Sequence, residues 1–197
     1  PQTRSDDQSQ SGASFFQDRS LSKQSEDCLT LNICSNNIKA KNPVMIWIHG
    51  GALVTGGSSS IMYDLEHLSK KGVVVVSINY RLGPLGFLGL DEVTNGQINS
   101  SGNEGLMDQR NAIEWVKENI SSFGGDPNNI TIFGESAGSW SCNLQIAAGN
   151  EGLFQKAICQ SGGLDAVASK EKANQWAELF TDQFKKDGHK LSDLRSC

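Results

Sequence analysis

The stretch Ile130–Trp140, ITIFGESAGSW, decides how the chain is read. A short apolar run ends in Gly134-Glu135-Ser136-Ala137-Gly138, with one serine flanked by glycines two positions away on either side. That spacing is what a very tight strand-to-helix turn requires, because the turn presses backbone against backbone and leaves no room for Cβ atoms. The central residue is then held in a strained conformation, its hydroxyl pushed out beyond the sheet edge at the start of a helix. Ser136 is therefore a candidate nucleophile. Glycine makes up 21 of 197 residues, so the pattern alone could arise by chance. Its place between an apolar strand and a helix gives it weight.

Working outward, a second motif matches the first. Val44–His49, VMIWIH, is a continuous apolar run of the kind expected for a strand covered on both faces. It ends in His49-Gly50-Gly51-Ala52, a loop whose backbone N–H groups are open to approach. Acyl transfer needs such donors where negative charge develops on a carbonyl oxygen. The candidate oxyanion donors are the N–H groups of Gly51, Ala52 and Ala137, and His49 shapes the loop through hydrogen bonds. The bland reading of HGGA is an ordinary turn after a strand. Two such motifs, each at a strand end, make an accident less plausible than either alone.

The remaining chain alternates strands with helices. Strands are expected at 28–34, 44–49, 73–79, 129–135 and 156–161, and helices at 63–71, 103–120, 136–148 and 170–186. Leu106, Ile113, Val116 and Ile120 share one face of the second helix. Residues 80–90 read as loop or short turns, and 1–27 as a polar surface loop. This order predicts an α/β protein with a mostly parallel sheet, without repeats or an internal domain boundary.

Composition excludes several classes. The net charge of -5 and the absence of any long basic run argue against nucleic-acid binding. No apolar stretch is long enough to span a bilayer. The five cysteines show no Cys/His metal spacing, so neither a metal nor a cofactor is expected. Cys142 and Cys159 are expected to be small buried side chains. Only three histidines exist. His67 reads as a solvated residue of a surface helix. His189, with Asp182 or Asp187, could in principle complete a triad after Ser136, but no further core strand is visible to carry the acid.

Taken together, these segments resemble the type-B carboxylesterases, the cholinesterase-like branch of the α/β-hydrolases. The resemblance is carried by SEDCLTLNI (25–33), VMIWIHGGA (44–52), VVSINYRLGPLGFL (75–88), GNEGLMDQRNAIEWVKENISSFGGDPNNITIFGESAG (102–138) and LFQKAICQSGG (153–163). It implies an α/β-hydrolase fold, a small-molecule ester as substrate, Ser136 as nucleophile, and Gly51, Ala52 and Ala137 as oxyanion donors. It further implies an ion pair between Arg81 and Asp108, a structural role for Glu26 with an upstream Arg, and a loop-closing disulfide at Cys28 with an upstream Cys. The triad acid and histidine are expected downstream, so residues 1–197 read as a partial carboxylesterase domain, cut at both ends and inactive in isolation.

Departures from the family pattern matter too. Ala52 stands where a third glycine is usual, Leu53 replaces an aromatic, and Trp140 replaces a small residue just beyond the elbow. Asp18 occupies the position of the choline-stacking Trp, which argues against choline esters. Asp193 replaces a cysteine, so the family's second disulfide is not expected. Sequons at Asn99, Asn119 and Asn129, with Cys28, favour a secreted or endomembrane glycoprotein. Two other readings stay open: a catalytically silent adhesion member of the same fold, and a self-contained small hydrolase using His189.

Overall fold

The computed structural model describes residues 25–60, 62–63, 65–150, 152–165 and 167–196. Most of the polar loop expected over 1–27 lies outside these residues, as does Asp18. Five strands form one sheet: β1 (Leu31–Cys34), β2 (Asn42–Ile48), β3 (Val74–Ile78), β4 (Gly125–Glu135) and β5 (Lys156–Gln160). Their spatial order is β1-β3-β2-β4-β5, with β1 antiparallel to β3 and every other pair parallel. Between them run α1 (Leu65–Ser69), α2 (Pro84–Phe87), α3 (Glu104–Asn119) and α4 (Ala137–Ala147), and α5 (Lys170–Lys186) follows β5.

Parallel strands need crossovers, and the helices both supply these and cover the sheet. Val44, Ile46 and Ile48 of β2, Val74, Val76 and Ile78 of β3, and Ile130 and Ile132 of β4 are fully buried. They pack with Ile113, Val116 and Ile120 of the α3 region and with Cys142 of α4. Side chains alternate across a strand, so Trp47 and Phe133 face the opposite side, where Trp47 also meets Tyr63 at 4.9 Å. Each such buried aliphatic side chain contributes about 1.5–3 kcal/mol.

The order of connection sets the site. From β2 the chain steps to β3 on one side, then crosses back over β2 to β4 and on to β5. The switch point therefore lies at the carboxyl ends of β2 and β4, where open α/β sheets place their ligands. Ile48 pairs with Gly134, so the HGGA loop and the serine turn leave adjacent strands at the same level.

Three expectations need correction. β1 begins at Leu31 rather than at Cys28, because Cys28 N–H bonds Glu26 and Thr30 N–H bonds Cys28 in local turns. β4 begins at Gly125, since Asn42 pairs across to it before a bulge. Cys159 is exposed rather than buried among the described residues, because β5 is the outermost of the five strands this chain forms, and Ile158 beside it is 45% exposed.

Candidate active site

Ser136 is the N-cap of α4, with φ 55° and ψ -120°, a conformation that non-glycine residues seldom adopt. The turn is fixed from both sides. Ser136 N–H donates to Gln160 O at 2.8 Å, while Ser136 O accepts from Ser139 and Trp140 N–H. A Cβ on Gly138 would press into the Ile48 carbonyl, and one on Gly134 would stand 2.5 Å from Gly138 C. The glycine spacing is thus explained by β2, β4 and α4 meeting with no side chain between them. Gln160 at the end of β5 and Gly162 just beyond it also hold the elbow: Gly162 O accepts from Ser139 Oγ at 2.7 Å and Asn143 Nδ2 at 3.3 Å.

The HGGA loop lies against this turn. A Cβ placed on Gly50 would be 3.3 Å from Ser136 Cβ and 3.4 Å from Glu135 Oε2. Two successive carbonyls of the loop are tied away. His49 Nδ1 pairs with Gly50 O at 2.8 Å. Gly51 O accepts from Val54 N–H, Thr55 N–H and Thr55 Oγ1. In a trans peptide the N–H points opposite the C=O, so these bonds turn the N–H groups of Gly51 and Ala52 the other way. Ala52 and Leu53 follow Gly51 at φ 54° and 63°, continuing the left-handed bend. Ala137 is the first residue of α4, so its N–H has no intrahelical acceptor and carries the positive end of the helix dipole.

His49 is fully buried, stacked on Tyr80 at 4.4 Å, and Tyr80 Oη donates to His49 O at 2.7 Å. Burial pulls its imidazole down to about 4, with the Gly50 carbonyl opposing the shift, so the ring is neutral near pH 7. A neutral ring with Nδ1 protonated is the form that donates to Gly50. Burial also raises the Tyr80 phenol, which remains a donor.

Arg81 and Asp108 pair in a fork. Asp108 Oδ2 accepts from Arg81 Nε at 2.7 Å and from Arg81 backbone N–H at 3.0 Å, and Oδ1 accepts from Nη2 at 2.8 Å. Beside them runs a polar network that the sequence reading passed over. Gln109 Nε2 donates to Ser141 Oγ, Gln145 Nε2 to Gln109 Oε1 and Leu106 O, and Asn150 Nδ2 to Gln145 Oε1. All four side chains are buried, and Ser141 Oγ returns to Ala137 O at 3.0 Å. This network ties α3 to the helix that begins at the elbow. Glu135, whose carboxylate lies beside Gly50, was also passed over; the only signal was its place next to the serine.

Other sequence candidates lie elsewhere. Glu26 and Cys28 sit before β1, and Cys28 is half-buried. His67 is exposed on α1, and His189 stacks on Phe184 just beyond the end of α5. Asp187 accepts from Gln183 rather than orienting that imidazole. Among the described residues no cluster of His, Cys, Asp and Glu could hold a metal, and no helix is long and apolar enough to cross a membrane.

The chain belongs to the carboxylesterase family, whose model matches residues 2–197. It is 48% identical over 163 residues to para-nitrobenzyl esterase of Bacillus subtilis (strain 168), covering 81% of this chain and 32% of that protein. It is 47% identical over 171 residues to bile salt-activated lipase of Bos taurus, covering 80% and 28%. Among solved structures, the Geobacillus stearothermophilus carboxylesterase EST55 superposes with a TM-score of 0.75 at 47% identity, over 78% of this chain and 34% of that one. The chain thus spans about a third of the length of the curated relatives it matches. The fold is the α/β-hydrolase fold of these carboxylesterases.

Proposed function

We propose that the protein to which this chain belongs is a serine carboxylic-ester hydrolase acting on small-molecule esters. One observation carries the reading: a strained serine at a helix N-terminus lies against a glycine loop whose N–H groups are turned away from its own bonded carbonyls. Ser136 Oγ attacks the ester carbonyl carbon and yields its proton to a general base. The oxyanion that forms accepts from Gly51, Ala52 and Ala137 N–H, each donor lowering the barrier by about 3–4 kcal/mol. Collapse expels the alcohol, and water then releases the acid from the acyl-enzyme. The imidazole and carboxylate come from the rest of the protein, since His49 is committed to the loop and His189 to Phe184. Identity of about 47% to esterases and a lipase supports this chemistry over an adhesion role.

Fluorophosphonate labelling of the complete protein tests the reading. Label is expected on Ser136 and is expected to vanish in Ser136→Ala with folding intact. Label that survives the substitution points to another nucleophile, and none in the native protein points to the silent, binding-type member. A secretory location fits the same reading, with Asn99 exposed in its sequon; the same reading adds a disulfide between an upstream cysteine and Cys28, which is a free thiol among the described residues. Loss of mass on glycosidase treatment, and a mobility shift on reduction, check these two points.

A further inference from the structure

Ala137 supplies a proposed oxyanion donor, yet neither it nor Gly138 has a side chain long enough to fix the first turn of α4. Side chains further along the helix do so, on two sides. Toward β5, Ser139 Oγ donates to Gly162 O at 2.7 Å. Toward α3, Ser141 Oγ donates to Ala137 O at 3.0 Å, a bond back to the residue four positions earlier, of the kind that bends a helix. A hydroxyl rotates freely unless a neighbour fixes its proton.

Here one backbone carbonyl fixes it. Leu106 O can only accept, so the Gln145 amide turns Nε2 toward it, at 2.9 Å. The second proton of that Nε2 meets Gln109 at 3.2 Å, which makes the facing atom Gln109 Oε1. Gln109 Nε2 then faces Ser141 Oγ at 3.0 Å. An amide nitrogen only donates, so the Ser141 proton is directed to Ala137 O. Behind these, Asn150 Nδ2 donates to Gln145 Oε1 at 2.6 Å. Every bond runs one way, from Asn150 through Gln145, Gln109 and Ser141 to the residue after Ser136. Gln109 and Ser141 are fully buried, so bulk water does not compete. The preceding residue of α3, Asp108, is itself anchored by three bonds from Arg81.

We propose that Gln109, acting through Ser141, is a positioning residue for the reaction. It fixes the first turn of α4 so that Ala137 N–H and Ser136 Oγ stay aligned on the developing oxyanion. The proposal rests on the serine-hydrolase reading of Ser136 and assigns that site its support. Asn150, at the far end, adds stability without alignment, because Leu106 O already orients Gln145.

The complete protein is assayed with p-nitrophenyl acetate, for its rate of fluorophosphonate labelling and by urea melts. Ser141→Ala is expected to lower kcat and the labelling rate about tenfold with KM little changed, since misalignment acts in the transition state. Gln109→Met leaves the hydroxyl present but free to turn, and about threefold is expected. Asn150→Ala is expected to lower the urea midpoint while kcat stays within about twofold of native. Native rates in folded Ser141→Ala and Gln109→Met overturn this inference alone, as does a kcat loss in Asn150→Ala equal to theirs. If Ser141→Ala does not fold, Gln109→Met against Asn150→Ala decides it. A native protein whose Ser136 takes no label overturns the esterase reading and this inference with it.

Discussion

The two ends of the sheet are built on opposite terms. Where β2 and β4 finish, backbone lies on backbone: Gly50, Gly134 and Gly138 each lack room for a methyl group, and His49 beside them is fully buried. One strand further along, β5 exposes Lys156, Ile158, Cys159 and Gln160, and Gly149 in the connection before it has nothing within 4 Å of where a Cβ would stand. Among the described residues, then, a crowded, strained switch point lies next to a strand that this stretch of chain pairs on one side only. Strain at Ser136 persists only because the surrounding contacts over-determine it. The difference teaches that the candidate nucleophile is held by exclusion of side chains rather than by bonds to its own hydroxyl.

Gly138→Ala is the strongest way to break this comparison. Its methyl would press on the Ile48 carbonyl and lie 3.1 Å from His49 C, both backbone atoms with little freedom to yield. A loss of about 3 kcal/mol or more in unfolding free energy is expected, at or above the upper end of ordinary overpacking. Denaturant melts of the complete protein measure it. A loss below 1 kcal/mol, by the same measure, means the elbow is not crowded as described.

His49 gives the next effect, through pH. Its imidazole titrates near 4 in the folded protein and near 6.5 in the unfolded chain. Above pH 6.5 both states are neutral and the residue adds no pH dependence. As pH falls from 6.5 to 4 the unfolded chain takes up a proton that the folded one refuses, so stability drops, by about 3 kcal/mol at the low end. His49→Gln should flatten that part of the pH–stability curve relative to the native protein. Parallel curves would show that the ring is not held neutral by burial.

Asp108→Asn probes the support behind the switch point. Asp108 is 5% exposed and accepts three bonds from Arg81, whereas the guanidinium is partly in water. Part of the attraction is therefore screened, and a loss of about 2 kcal/mol is expected by thermal or urea melts. An unchanged midpoint would mean that solvent replaces the pair.

What the sequence disclosed divides along the same line. β2, β3 and β4 are legible because strands covered on both faces must be apolar, and VMIWI, VVVVSI and ITIF are. Gly134, Gly138 and the HGG run are legible because close backbone approach demands glycine in a fixed spacing. KAICQ has the texture of a core strand, and its exposure is that of the outermost strand in a chain spanning about a third of its relatives' length. Gln109 and Gln145 were missed for a different reason: a stripe search counts apolar residues, and buried glutamines at helical spacing look like surface. The role of Gly162 needs the tertiary contact to Ser139 Oγ, which no local pattern contains. The Arg81–Asp108 pair came from resemblance, not from spacing.

Gly149→Ala is the smallest of these effects and sharpens the comparison most. Gly149 has φ 69°, so alanine there meets a conformational cost although the space around it is empty. The left-handed region costs a non-glycine residue about 1–2 kcal/mol, and the narrower unfolded ensemble of alanine returns part of that. The expected loss is about 1 kcal/mol, with Ser136 labelling unaffected because the change lies outside the elbow. Gly138→Ala should lose both stability and labelling. If the two glycine variants matched in both measurements, conformational preference alone would explain the glycines around this sheet, and crowding at the switch point would explain nothing. If they separate as expected, close packing of β2, β4 and α4 is what holds Ser136 in place.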